Sequence, residues 1–239
     1  MNSRLKETMD FFDKKAELWD TETIYNPDLI KTIVELAGIS ENDKIVDIAC
    51  GTGILFNDIL AKKPSRLWGV DLSEKMLEKA AKKFDCLPVR LWAGDFLNFP
   101  ESNFDRAFIY RAYPHFPDKR AFAEKLCSIL RKNGRFIIAH SESRYKINRR
   151  HIGTASNVFD ILLPAEKEAA SAGAATGVRR TVPIEDGGLV CVEADSAEKM
   201  PPQFRIIKRA GRCRGNLVEC CLSEKEAGEQ AEPLRYPVC

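Results

Sequence analysis

Residues 44–53 read Lys44-Ile45-Val46-Asp47-Ile48-Ala49-Cys50-Gly51-Thr52-Gly53, a short, mostly apolar run that carries one acid and ends in Gly-x-Gly. A run of this length and character suits a strand buried on both faces of a parallel sheet. Leu55, Ile59 and Leu60 follow at helical spacing, so the two glycines lie in a strand-to-helix turn. Without a Cβ, Gly51 and Gly53 let the backbone turn sharply and approach a ligand. In open α/β sheets such turns line the carboxyl edge, where ligands bind.

The alternation extends in both directions. Upstream, Leu5, Met9, Phe12, Ala16 and Trp19 predict one amphipathic helix. Asn26-Pro27 opens a second, carrying Leu29, Ile30, Ile33, Val34 and Ala37, and Gly38 stops it. Downstream, strands are expected at 67–70, 89–93, 104–110 and 135–139. Ser73 and Asp118 cap the intervening helices, and Gly134 ends the second of these. Five strands separated by helices imply a Rossmann-like, doubly wound, mostly parallel sheet in a three-layer αβα arrangement.

The ligand class follows from the acids. A dinucleotide fingerprint needs a third glycine where Phe56 stands, and a phosphate loop needs Gly-Lys-Ser/Thr, which is absent. Asp47 repels a pyrophosphate but suits an ammonium group. Asp71, ending the second strand, can accept from a ribose diol. Asp95, after the third, can accept from an adenine amino group with Phe96 beside the ring. The plainer alternative is a tight turn, one surface acid and two helix caps. Three acids at successive strand ends favour the ligand.

With its glycine loop, Asp71 and Asp95 in this order, the sequence resembles the class I S-adenosylmethionine (SAM)-dependent methyltransferases over roughly residues 8–140. Phe11-Phe12-Asp13 and Trp19-Asp20 are similar to the small-molecule, quinone-biosynthesis type. The resemblance implies SAM as cofactor and a small-molecule methyl acceptor; the charge balance and the lack of a long apolar run lead to the expectation of no nucleic-acid or membrane partner. It implies a cofactor set of Asp47, Ala49, Cys50, Gly51, Gly53, Asp71, Leu72, Met76, Asp95, Phe96 and Tyr110. Ala49 stands where many members have glycine, and so small a residue is expected to be tolerated. Trp19 and Tyr25 are candidates for a lid, or for ordinary helix contacts. Two other readings remain: a SAM-sensing protein without catalysis, and a nicotinamide-dependent oxidoreductase.

The acceptor is expected over the ends of strands four and five, where His115, His140 and His151 cluster with Arg111, Arg144 and Arg149-Arg150. His115 and His140 are the candidate bases, against a purely structural role, and the arginines can bind an anionic substrate or simply face water. No metal is expected, because spacing alone does not bring three histidines together.

Composition agrees. The 37 Lys+Arg against 35 Asp+Glu leave +2, which demands neither nucleic acid nor membrane. Without an apolar signal segment, a cytoplasmic location and free thiols are expected. Of eight cysteines, none forms a CxxC pair, and five lie after residue 190. Residues 1–168 read as the methyltransferase-like domain. Residues 169–239 differ: two aromatics, half of the 14 glycines, and arginine leading lysine seven to three. Strands are expected at 189–193, 204–208 and 217–222. This segment is a divergent end of the sheet, a separate flexible piece or the product of a reading-frame change near residue 170; the joint shift in composition and cysteine density favours the last.

Overall fold

The computed structural model describes residues 3–23, 25–142, 144–153, 158–163, 189–194 and 204–209. Its centre is a five-stranded parallel sheet: β1 (Lys44–Ile48), β2 (Arg66–Asp71), β3 (Val89–Ala93), β4 (Phe104–Tyr110) and β5 (Leu130–Ala139). The spatial order is β3-β2-β1-β4-β5. Chain order reverses between β1 and β4, so the crevice above their carboxyl ends is the switch point of the sheet.

Two apolar cores, one on each face, make the three layers. α3 (Pro27–Leu36), α4 (Phe56–Leu60) and α5 (Glu74–Lys83) bury Ile33, Phe56, Ile59 and Ala80 against Ile45 and Leu67 of the sheet. On the other face, Phe122, Leu126 and Ile129 of α6 (Lys119–Ile129) pack on Val46, Ile48 and Ile109. The expected caps are present: Asn26, Ser73 and Asp118 accept from the amides of Leu29, Met76 and Ala121.

Phe56, in the place of a third fingerprint glycine, is fully buried. Glycine elsewhere makes its room: a Cβ at Gly69 of β2 falls 2.6 Å from the Phe56 ring, and one at Gly53 falls 2.7 Å from it. The missing glycine is thus exchanged for a ring that fills space under the loop.

Two expectations change. The N-terminal helix is two pieces, α1 (Ser3–Lys15) and α2 (Trp19–Glu22), because the turn between them lets Asp20 bond Thr52 and Lys83. Gly134 does not end α6. That helix stops at Ile129, and Gly134 lies within β5, where extra residues between Leu130 and Arg135 face Phe104–Arg106. Its missing Cβ matters there: one would come within 2.8 Å of the Phe104 carbonyl oxygen. The strands expected at 189–193 and 204–208 are present: β6 (Leu189–Ala194) and β7 (Phe204–Arg209) pair antiparallel as a separate ladder, with β6 lying beside β5. The strand expected at 217–222 lies outside the described residues. The last helix, α7 (Arg144–Gly153), follows β5. No helix among the described residues is long and apolar enough to cross a membrane.

Candidate cofactor and acceptor site

The glycine loop leaves β1 at the switch point. Ala49, Gly51 and Gly53 all have left-handed backbone, with φ of 56°, 56° and 81°. A Cβ at Gly51 meets nothing nearer than the Trp19 indole nitrogen at 3.9 Å, so space lies above the loop. Ala49 pays about 1–2 kcal/mol of local strain that glycine avoids. Ala49→Gly recovers this, less about 0.4–1 kcal/mol of unfolded-state entropy. The expected result is a melting temperature raised by about 1–4 °C in a thermal scan.

Two acids sit beneath this space. Asp71 accepts from Gly51 N at 2.7 Å through Oδ2 and from Ser73 N at 2.9 Å through Oδ1. Each carboxylate oxygen accepts two hydrogen bonds, so capacity remains for ligand hydroxyls. Burial outweighs these amides and pushes its carboxyl up to about 6. Asp47 is 1% exposed, and neither of its side-chain oxygens has a partner among the described residues. Burial, with the Asp71 charge added, holds its carboxyl well above the usual range. A buried acid without a partner is costly, and a cationic group supplied by a ligand removes the cost.

The other predicted cofactor residues divide into two groups. Met76, Tyr110 and Cys50 are buried, and Leu72 is half-buried at the head of α5. Burial drives the Cys50 thiol well up, so it stays protonated and is no nucleophile. Asp95 is half-buried, and its Oδ1 caps a single 3-10 turn at Leu97 N. Phe96 points inward, 3% exposed, against Phe122 and Phe116.

The N-terminal segment crosses the site as a strap. Asp13 accepts from Ser73 Oγ, Glu17 pairs with Lys79 at 2.6 Å, and Asp20 accepts from Thr52 Oγ1 while pairing with Lys83 at 2.9 Å. Trp19 therefore lies over the loop, with Phe12 against its ring. Sequence reasoning singled out Trp19 and Tyr25 as a lid and quoted Asp13 and Asp20 only within the resemblance; it gave those acids no contacts and missed Glu17. Their signal was present: Asp13, Glu17 and Asp20 recur at helical spacing, opposite Lys79 and Lys83 one turn apart on α5.

The three histidines meet at the ends of β4 and β5. His115 lies between Phe12 and Phe159, each 5.0 Å away, and its Nδ1 faces the Val158 carbonyl at 3.3 Å. His151 Nδ1 faces the Asp160 carbonyl at 3.0 Å. Both rings therefore carry the proton on Nδ1. His140 is 5% exposed, and its Nε2 has no partner among the described residues. Burial pulls His115 down to about 4 and His140 to about 3, so both are uncharged at neutral pH. Among the described residues no group of three His, Cys, Asp or Glu is placed to hold a metal ion. Of the arginines, Arg150 pairs with Glu142. Arg111 follows β4 with φ of 58°.

An acid for a cation and an acid for a diol, with two uncharged histidines beside them, suit a ligand carrying a cation and a ribose. Comparison with known proteins agrees. Residues 45–134 match the methyltransferase domain family. The demethylmenaquinone methyltransferase of Thermotoga maritima is 28% identical over 56% of this chain and 61% of its own. The ubiquinone/menaquinone biosynthesis C-methyltransferase of Chromobacterium violaceum is 26% identical over 46% and 48%. The chain thus matches about half to three-fifths of the length of these relatives. In fold it is similar to the methyltransferase solved with the Trm112 activator of Haloferax volcanii, with a TM-score of 0.56, 19% identity and 73% and 76% of the two chains covered. It is also similar to DhpI, solved with S-adenosylhomocysteine (SAH), with a TM-score of 0.51, 18% identity and 60% and 71% covered. Residues 45–134 thus match a methyltransferase domain, and the fold around them is similar to that of solved methyltransferases.

Proposed function

We propose that this chain is a SAM-dependent methyltransferase that acts on a small-molecule acceptor. The observation that carries this reading is Asp47, a fully buried acid with two unpartnered oxygens at the switch point. Asp47 takes the ammonium end of the cofactor, with Gly51 and Gly53 giving its backbone room. Asp71 takes the ribose hydroxyls on its remaining lone pairs. Asp95 takes the adenine amino group, with Leu72 and Met76 beside the ring and Phe96 as the wall behind. When bound, SAM supplies an electrophilic methyl group on a sulfonium.

For this chemistry the chain mainly has to align the reacting atoms and exclude water. The strap, Tyr110 and the aromatic cluster of Phe12, His115 and Phe159 supply that enclosure. His115 and His140, both uncharged, accept a proton where the acceptor has one to lose. A small acceptor fits this enclosed, aromatic pole better than nucleic acid does, and the quinone-type relatives point the same way. The protein works in the cytoplasm on this reading, and residues 169–239 are a distinct segment following a domain that ends near residue 168.

Calorimetric titration with SAH tests the reading. Saturable one-to-one binding is expected. A folded protein that takes up no SAH overturns it.

A further inference from the structure

Residues 158–163 are fastened to four elements around His115. Asn148 of α7 grips the Leu162 backbone, donating to its carbonyl and accepting from its amide at 2.8 Å each. His151 Nδ1 faces the Asp160 carbonyl at 3.0 Å, and its ring stacks on Phe159 at 4.6 Å. The Asp160 amide donates to the Pro114 carbonyl at 3.0 Å, within the 3-10 turn Tyr113–His115. The Asp160 carboxylate pairs with Arg4 of α1 at 2.5 Å and with Lys119 of α6 at 3.3 Å.

Lys119 joins the two sides. Besides pairing with Asp160, its ammonium donates to the carbonyls of Tyr113 and Phe116, which bracket His115 in sequence. This ion pair therefore fixes both the turn that bears the imidazole and the segment that bears its hydrogen-bond partner, the Val158 carbonyl, 3.3 Å from Nδ1. A carbonyl only accepts, so Nδ1 carries the proton and Nε2 keeps a lone pair. The Phe12 and Phe159 rings, each T-shaped to the imidazole at 5.0 Å, set its plane. Ring contacts also lead back to the glycine loop: Phe12 lies 5.7 Å from Trp19, whose indole nitrogen is 3.9 Å from the Cβ position of Gly51. His140 has no such fastening, for its Nε2 meets no partner among the described residues.

Resting on the methyltransferase reading above, we propose that Asp160 is a positioning residue of the acceptor site: through Lys119 and its own backbone it holds the Val158 carbonyl on His115 Nδ1, which leaves Nε2 as the atom that takes the acceptor's proton. The proton passes from the reacting atom of the acceptor to the Nε2 lone pair, and the acceptor keeps the electron pair for the incoming methyl group. The imidazolium then returns the proton to water. The Val158 carbonyl, still bonded to Nδ1–H, favours that charged form.

Nitrogen-15 NMR of the full chain tests this, because it reads each imidazole nitrogen directly. The chain has three histidines, which single His→Gln variants assign. At neutral pH His115 is expected to show a protonated Nδ1 and a bare Nε2, the reverse of the tautomer that a free histidine side chain prefers. Asp160→Asn keeps the shape but drops both ion pairs, and it should move the two nitrogen shifts toward each other as the tautomers mix. A merely structural Asp160 would lower the melting temperature and leave the tautomer as it was. A protonated Nε2 in the unaltered protein overturns the proposal, and so does Asp160→Asn with unchanged shifts. Lys119→Gln cuts the same tie from the other side and carries the test if Asp160→Asn does not fold. SAH titration of the unaltered protein is read separately. The expected tautomer without SAH uptake overturns the methyltransferase reading, whereas SAH uptake with the opposite tautomer overturns only the role of Asp160.

Discussion

Asp47→Asn is expected to raise the melting temperature of the ligand-free protein and to weaken SAH binding at the same time. The side chain keeps its size, but a carboxyl with two unpartnered buried oxygens gives way to a neutral amide. Relief from burying an uncompensated acid is about 1–3 kcal/mol, or several degrees for a domain of this size. Loss of the charge-assisted contact costs SAH about 10- to 100-fold. Opposite signs in the two assays separate a binding acid from a structural one, since a structural acid loses stability when replaced.

Asp71 adds a pH signature. Its carboxyl titrates near 6 in the folded protein against an ordinary value of 3.8. The folded state therefore holds the proton more tightly than the unfolded state. This stabilisation is complete below about pH 4 and is lost as pH rises to 6, about 3 kcal/mol at one unit per 1.36 kcal/mol. Denaturant melts of the ligand-free protein should show that fall. Ribose hydroxyls require the ionised form, so SAH affinity should rise across the same interval and level off above it.

Gly53→Ala is the second large effect. The added Cβ lands 2.7–2.8 Å from the Phe56 and Phe84 rings, and φ of 81° is unfavourable for any side chain. Overpacking at about 1–3 kcal/mol and left-handed strain at about 1–2 kcal/mol together predict a loss of about 2–5 kcal/mol. Phe56→Leu removes one of the two rings, so Gly53→Ala should cost less in a Phe56→Leu background than in the unaltered chain, with the Phe84 clash and the strain remaining. If Gly53→Ala costs as much in the Phe56→Leu background as in the unaltered chain, crowding by the Phe56 ring is not the cause.

Much of the frame was legible before any coordinates. β3 and β4 run over the residues that periodicity marks, and Asn26, Ser73 and Asp118 cap as their chemistry demands, because these signals are local. What failed was tertiary. Gly134 looks like a helix stop, but the helix end is set at Ile129 by the need to bring Leu130 beside Phe104. Trp19 continues the apolar stripe of α1, yet the chain breaks before it because Asp20 is claimed by Thr52 and Lys83. Phe96 sits next to Asp95 in sequence, but the turn that Asp95 caps sends the ring into the core. Ala49 passes as a harmless variant by size, and only its φ reveals the strain.

The strap has a kinetic consequence. Its ties to Ser73, Lys79, Thr52 and Lys83 hold Trp19 beside the glycine loop, so loosening them is expected to change how fast a nucleoside-sized ligand enters and leaves. If strap opening limits exchange, the rate of SAH uptake should plateau at high ligand concentration, and Asp20→Asn should raise that plateau. Residence time would then answer to the acids of the strap, and affinity to the buried acids under the loop.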